Sequence, residues 1–289
     1  NNINSIAVWG GENSDPPQYG KVFISIIPAF NDLLTTDEKD FIISDIIRPK
    51  AVLSITPEFV DPEYTYVSLE VYYKRNPIES SLDVKEVDNI VEQAIVDYNN
   101  SELRKFDGIL RYSTLLNTID TAESSIVNSS VRVYLKKRFV PILNQSVRYE
   151  LNFSSPIYVS PTRNRVIESS TIFTFNNEEC ILQDYVNPIG ERRLRVVRSS
   201  DIDQAIVAND VGFVDAANGK IVLEDFNVSQ FDGSYIEITT IPNSNDVAPK
   251  RNNVVSIDVD DIIVAGSNDP TSVDVSLSNI NYDLIPRHG

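Results

Sequence analysis

Apolar residues recur along this chain with two periods, and an element boundary is expected wherever one gives way to the other. Lys21-Val22-Phe23-Ile24-Ser25-Ile26-Ile27 is β-branched and aromatic and predicts a strand that Pro28 ends. Thr35 and Glu38 form a capping-box pair ahead of Phe41, Ile42, Ile46 and Ile47, so a short helix is predicted up to Pro49. Strands are predicted at 51–56 and 64–74; in the second, Val67, Leu69, Val71 and Tyr73 alternate with Tyr66, Ser68, Glu70 and Tyr72. The clearest helix follows. Asp83 and Glu86 supply its capping pair, and Val84, Val87, Val91, Ala94, Ile95 and Tyr98 recur at steps of three and four. A second short helix at 113–119 carries Leu115, Leu116 and Ile119, and a strand at 131–137 sets Val131, Val133 and Leu135 against Arg132, Tyr134 and Lys136.

The helical period disappears beyond Pro141. Short apolar or alternating runs are punctuated by Asn176-Asn177, Asn187-Pro188-Ile189-Gly190, Asn218-Gly219 and Asp232-Gly233, the turn chemistry of an all-β sandwich or barrel. The hairpin at 211–223 is the most legible, with Asn218-Gly219 expected to supply positive φ. At the other end, Val8-Trp9-Gly10-Gly11 through Asp15-Pro16-Pro17 reads as an ordered loop rather than a helix or strand. The expected class is α+β: an N-terminal layered α/β unit with a small mixed sheet, then a mostly antiparallel all-β domain. The division expected is a Gly/Pro-rich ordered loop at 1–22, an α/β domain at 23–140, an all-β domain at 141–263, and a C-terminal strand or tail at 264–289 with alternating Val273, Val275 and Leu277.

Charge narrows the partners. The 25 Lys and Arg against 42 Asp and Glu give a net charge of -17, a field that repels phosphate backbones and anionic headgroups, so neither nucleic acid nor membrane is an expected partner. No apolar run approaches the roughly 20 residues that span a bilayer, and the first residues lack the pattern of a signal peptide, so a soluble protein is expected. Cys180 is the only cysteine, which rules out an intrachain disulfide and suits folding in a reducing cytoplasm. Methionine is absent, so the expectation is an internal or C-terminal piece of a longer chain, the alternative being modified methionines that the sequence does not show.

Catalytic chemistry finds little to work with. The only histidine, His288, stands next to the last residue, so no histidine is expected to be locked beside a nucleophile. One Cys and one His far apart do not make a zinc site, and no Walker loop or Rossmann glycine pattern is present; no metal, no cofactor and no enzyme activity are expected. Asp258-Val259-Asp260-Asp261 reads as a strand with an acidic outer face rather than as a cation site. Lys136-Lys137-Arg138 and Arg192-Arg193-Leu194-Arg195 read as solvated strand edges, with docking onto acidic surfaces as the sharper alternative. Trp9, beside glycines and prolines, reads as a loop anchor in a core or a subunit contact.

The segment from Val8-Trp9-Gly10-Gly11-Glu12-Asn13 and Asp15-Pro16-Pro17 to Tyr19-Gly20-Lys21-Val22-Phe23-Ile24-Ser25-Ile26 resembles the central signature of the baseplate wedge proteins of T-even-like contractile-tailed bacteriophages. Ile46-Ile47-Arg48-Pro49-Lys50, then Glu58-Phe59-Val60-Asp61-Pro62-Glu63-Tyr64, then the 211–223 hairpin agree in order. This resemblance implies a C-terminal portion of a longer protein, made in the host cytoplasm and placed in the virion baseplate. It also implies function by assembly: copies pair within each wedge, bind other wedge proteins, and close into a ring that rearranges when the tail contracts. No catalytic residues are implied. Trp9, Pro16, Pro17 and Tyr19 are the candidate interface residues, as a packed loop near a contact. The alternative is a β-rich receptor- or carbohydrate-binding tail module, which requires a surface cluster from Tyr158, Phe173, Phe175, Tyr185, Phe213, Phe226, Phe231 and Tyr235. A carbohydrate-cleaving enzyme with two facing carboxylates stands third.

Overall fold

Residues 3–13, 17–50, 55–162, 164–200, 204–249 and 252–270 are described in the computed structural model of the chain. Strands make up 47% of it, with three α-helices among the described residues and several sheets, in agreement with the α+β class at the level of content.

The first sheet corrects one expectation. Val8-Trp9-Gly10 completes a strand, β1 (Ile3–Gly10), antiparallel to β2 (Lys21–Pro28) with Trp9 opposite Phe23 and Val8 opposite Ile24. The turn chemistry starts only afterwards: Gly11–Asn13 forms a 3-10 turn, and the Gly11 carbonyl accepts the Gln18 N–H at 2.8 Å. Apolar Ile6 and Val8 alternating with Ser5, Ala7 and Trp9 were the strand signal, masked by the glycines that follow. Helix α1 (Thr36–Phe41) opens on the expected capping box, with the Glu38 N–H donating to the Thr35 hydroxyl at 3.3 Å and the Thr35 N–H to the Glu38 carboxylate at 2.9 Å. It widens into a π-helical turn, Ile42–Ile47, and ends in the 3-10 turn Arg48–Lys50 around Pro49. Strand β3 (Thr56–Phe59) pairs parallel to β2; most of the strand predicted at 51–56 lies outside the described residues. Ile24, Ile26 and Leu34 form one buried apolar cluster, with Val22, Ile42, Ile47 and Phe59 packed against them.

Alternation builds β4 (Glu63–Arg75), whose Val67, Leu69 and Val71 have no exposed surface. Helix α2 (Val84–Tyr98) begins at the predicted cap, where the Asp83 N–H meets Glu86 at 2.7 Å and the Glu86 N–H meets Asp83 at 2.8 Å. Its stripe buries Val87, Val91 and Ile95 completely, each worth about 1.5–3 kcal/mol of transfer free energy. It packs against α3 (Tyr112–Asp120), which turns Leu115 and Ile119 inward. β5 (Ile126–Phe139) starts earlier than predicted, because Asn128-Ser129-Ser130 carries no apolar pattern yet still pairs through its backbone. The Tyr73 hydroxyl and the Gly266 N–H converge on one carboxylate oxygen of Asp88, at 2.8 and 3.1 Å.

Beyond β5 the chain forms short strands separated by turns, as its turn chemistry predicts. They are β6 (Val147–Asn152), β7 (Ile167–Ser170), β8 (Phe173–Phe175), β9 (Glu178–Val186), β10 (Arg192–Arg198), β11 (Ile206–Asp215), β12 (Lys220–Phe226), β13 (Gln230–Phe231) and β14 (Ile236–Thr240). Long β15 (Asn253–Asn268) is the last; residues 271–289, which include Val273, Val275, Leu277 and His288, lie outside the described residues. The sheets run β1-β2-β3, β13-β8-β9-β10-β11-β12-β6 and β15-β4-β5-β14-β7. The β11–β12 hairpin turns through four residues, Ala216 to Gly219. Only Gly219 takes positive φ (+68°), whereas Asn218 instead donates its N–H (3.1 Å) and side-chain amide (2.7 Å) to Asp215.

The described residues form two compact units, one within 1–68, 99–111 and 133–258, the other within 69–98, 112–132 and 259–289. They are interleaved along the chain, whereas the division expected at residue 140 is linear. β4, β5 and β15 each carry residues of both units, so the chain returns to a unit it has left.

Candidate functional site

Strand β1 lies at the edge of its sheet, and its two faces differ. Ser5, Ala7 and Trp9 are half-buried: Trp9 lies 5.9 Å from the Phe23 ring, and the Ser5 hydroxyl accepts the Phe106 N–H at 3.4 Å. Ile6 and Val8, on the other face, are 53% and 60% exposed. Their cross-strand partners Ile26 and Ile24 are buried in the core with Leu34, so the apolar face continues onto the edge strand without cover there. Nine of the 23 large hydrophobic side chains that stay exposed among the described residues fall within residues 3–55, including Tyr19 at 83%, Phe30 at 85%, Phe41 and Ile46. Three of the nine, Ile3, Ile6 and Val8, lie on β1, where an unpaired apolar edge is open to further packing.

Of the interface residues expected from the sequence, Trp9 is turned to Phe23, while Pro17 and Tyr19 are exposed beside the turn; Pro16 lies outside the described residues. Sequence reasoning missed Ile6 and Val8, whose alternation was available but was read as loop.

The two basic runs are corrected. Neither is a solvated edge, because β5 and β10 are interior strands of their sheets. Lys136 pairs with Glu237 at 3.0 Å and Asp258 at 3.7 Å, and Arg138 bonds both acids. The Arg138 guanidinium also lies between two rings, 4.2 Å from Tyr66 and 4.6 Å from Tyr235. Burial works against its charge, but the Glu237 hydrogen bond and the Asp258 charge outweigh it and hold the guanidinium pKa above its ordinary value. Asp258 thus faces the cationic side chains of Lys136 and Arg138, and no group of three or more potential metal ligands occurs among the described residues. Arg192 pairs with buried Asp184 and Arg193 with Asp210 at 3.2 Å; Arg195 stacks on Tyr185 at 5.4 Å.

A cavity of about 450 Å³ opens beside Arg138, lined among others by Asp32, Tyr64, Tyr66, Lys137, Phe139 and Leu151. Asp32 bonds Arg104 at 3.0 Å and accepts the Tyr64 hydroxyl through its backbone carbonyl at 2.9 Å. Burial and the nearby Asp32 charge push the Tyr66 phenol up to about 12. Burial pushes the Lys137 ammonium down to about 8, against the opposing pull of Glu63.

Of the eight candidate aromatic residues, three lie in the interior and Tyr158 stays 40% exposed. Phe173, Phe175 and Phe226 are buried and pack together, with Phe173 5.2 Å and Phe175 6.3 Å from Phe226. Cys180 is fully buried, and desolvation raises its thiol pKa, as suits a packing residue. No helix among the described residues is long and apolar enough to cross a membrane.

Residues 1–60 match the family described as baseplate structural protein gp6, C-terminal domain I, and residues 63–138 match C-terminal domain III. The two matched segments, which together make up just under half of the chain, support the role of a baseplate structural protein in the virion tail baseplate. Both matched families are C-terminal domains of gp6, a T4-like baseplate wedge protein, in agreement with the resemblance of the opening segment. No curated protein matches the chain.

Proposed function

We propose that this chain is a wedge subunit that associates with a second copy and with other wedge proteins, building the baseplate ring that rearranges on tail contraction. Its assembly would take place in the host cytoplasm. The observation that carries this reading is the uncovered apolar face at the edge strand β1, with Ile6 and Val8 exposed within the segment matched to domain I. Trp9, Pro16, Pro17 and Tyr19 are proposed to border that contact. Association buries exposed apolar surface at about 25 cal/mol per Å² before its entropy cost, so a standard-sized interface needs a contiguous apolar centre of this kind.

The test is sedimentation of the purified chain over a concentration series, beside the double variant Ile6→Ser, Val8→Ser. Both side chains are exposed, so the fold tolerates the change. A dimer or larger species that dissociates in the variant supports the reading. A strict monomer at every concentration, with no binding to other wedge proteins in a mixing experiment, overturns it.

A further inference from the structure

Strand β5 buries an amine against a side-chain amide. Lys137 lies on the face of β5 away from Lys136 and Arg138 and is 5% exposed, and its Nζ donates to the side-chain oxygen of Asn253 at 3.2 Å. Asn253, on β15, is 7% exposed. The amide carbon lies one bond of about 1.2 Å beyond that oxygen, so it is at most about 4.4 Å from the amine. An acid stands beside the pair. β4 and β15 are neighbours in their sheet and run parallel, since the Glu63 N–H meets the Asn252 carbonyl at 3.0 Å and the Asp269 N–H meets the Arg75 carbonyl at 2.7 Å. The first of these bonds aligns Glu63 with Asn253, and the Glu63 charge acts on Lys137. Lys137, Asn253 and Glu63 belong to one compact unit. Burial holds the Lys137 pKa at about 8, so roughly one amine in ten is neutral at pH 7, against roughly one in three thousand for an ordinary lysine. A neutral amine held beside an amide carbon, with a carboxylate at hand, is the arrangement that acyl transfer to nitrogen needs.

We propose that Lys137 and Asn253 join in a covalent isopeptide bond once the chain has folded, with Glu63 carrying the proton. The Nζ lone pair attacks Cγ of Asn253 and the Nζ–Cγ bond forms. Glu63 takes a proton from the attacking nitrogen and passes it to Nδ2; the Cγ–Nδ2 bond then breaks and ammonia leaves. Nothing is oxidised or reduced, so no co-reactant is needed, and the chain becomes lighter by one ammonia, about 17 Da. The sheet runs β15-β4-β5, so the bond spans β4 and fixes the edge strand β15 to the interior strand β5. Peeling the edge strand away then requires breaking a covalent bond. The chemistry is confined to one chain and independent of the assembly reading. Bond formation consumes the ammonium, so any titration of Lys137 belongs to chains in which the bond is absent.

The test is the intact mass of the purified chain after incubation at pH 9, which should fall short of the sequence mass by about 17 Da, one ammonia. Tryptic digestion should give a branched peptide that joins the chain around Lys137 to the chain around Asn253, with no cleavage after Lys137. On a reducing, denaturing gel the bonded chain, closed into a ring across the 116 positions that separate the two residues, should run ahead of Asn253→Ala. Cys180 is the only cysteine, so no intrachain disulfide can imitate that ring. Glu63→Gln, a change at an exposed position, should slow bond formation by about a hundred-fold. An intact mass equal to that of the sequence after prolonged incubation overturns the proposal. So does a mass loss that maps to Asn218-Gly219, where a succinimide sheds the same ammonia. Bonding at an unchanged rate in Glu63→Gln overturns the role given to Glu63.

Discussion

Replacing Asp184 with alanine removes a carboxylate with no exposed side-chain surface, which accepts the N–H groups of Val166 (2.9 Å) and Ile167 (2.9 Å) while pairing with Arg192. Two backbone donors are then left buried without an acceptor, at about 1–3 kcal/mol each. Arg192 keeps the Asn164 carbonyl at 2.9 Å and the Asn164 side-chain oxygen at 2.7 Å, so its own loss is partly compensated. The total expected is about 3–5 kcal/mol, the usual cost of breaking a buried pair. With a urea m-value of about 3 kcal/mol/M, the unfolding midpoint followed by circular dichroism falls by about 1–1.7 M. Asp184→Asn, which keeps one acceptor oxygen, should lose roughly half as much. Adding Arg192→Met to the alanine variant should recover part of the loss, since it removes the stranded charge. Hydrogen exchange at Val166 and Ile167 should accelerate in step. A loss below about 1 kcal/mol with both amides still protected would refute the reasoning, because it would mean that water already serves these groups.

Arg138→Lys keeps the charge but not the planar fork between Tyr66 and Tyr235, and should cost about 1–3 kcal/mol in thermal unfolding; an unchanged Tm would show that the stacking contributes nothing. Gly219→Ala should destabilise more than Gly190→Ala, although φ is positive at both (+68° and +89°), because a Cβ at Gly219 would lie 2.0 Å from the Ser155 carbonyl oxygen and nothing lies within 4 Å at Gly190. Equal losses in urea melts would remove the steric part of that argument. Lys137 gives a pH signature: its folded pKa, about 8, lies below its ordinary value, so the unfolded chain binds more protons above pH 8 and stability rises with pH from there. Above about pH 10 the trend should reverse, since burial holds the Tyr64 and Tyr66 pKa values above those of unfolded tyrosine. Lys137→Met should abolish the rise and keep the fall.

Periodicity was legible where a single face decides burial. Val67, Leu69 and Val71 on β4 and Val87, Val91 and Ile95 on α2 are fully buried, and each lies on the stripe its spacing defined. Both capping boxes formed, because a cap needs only residues three apart. Long-range pairing was not legible. Lys136-Lys137-Arg138 looks like a solvated edge until β14 brings Glu237 and β15 brings Asp258 to it, from residues about a hundred positions away. The cavity beside Arg138 depends on Tyr64, Phe139 and Leu151 meeting there, which no local pattern encodes. Trp9 was read as part of a loop, because flanking glycines outweighed a short alternation, and the strand it belongs to shows only once Phe23 stands opposite.

Trp9 is the only tryptophan of the chain, and it stands against Phe23 in the sheet matched to domain I. Its emission therefore reports on that sheet alone, whereas far-ultraviolet dichroism reports on every strand. Melting curves from the two signals should coincide only if the N-terminal sheet unfolds together with the rest. The same indole lies on the opposite face of β1 from Ile6 and Val8, so it is an internal optical gauge for the strand proposed to carry the contact.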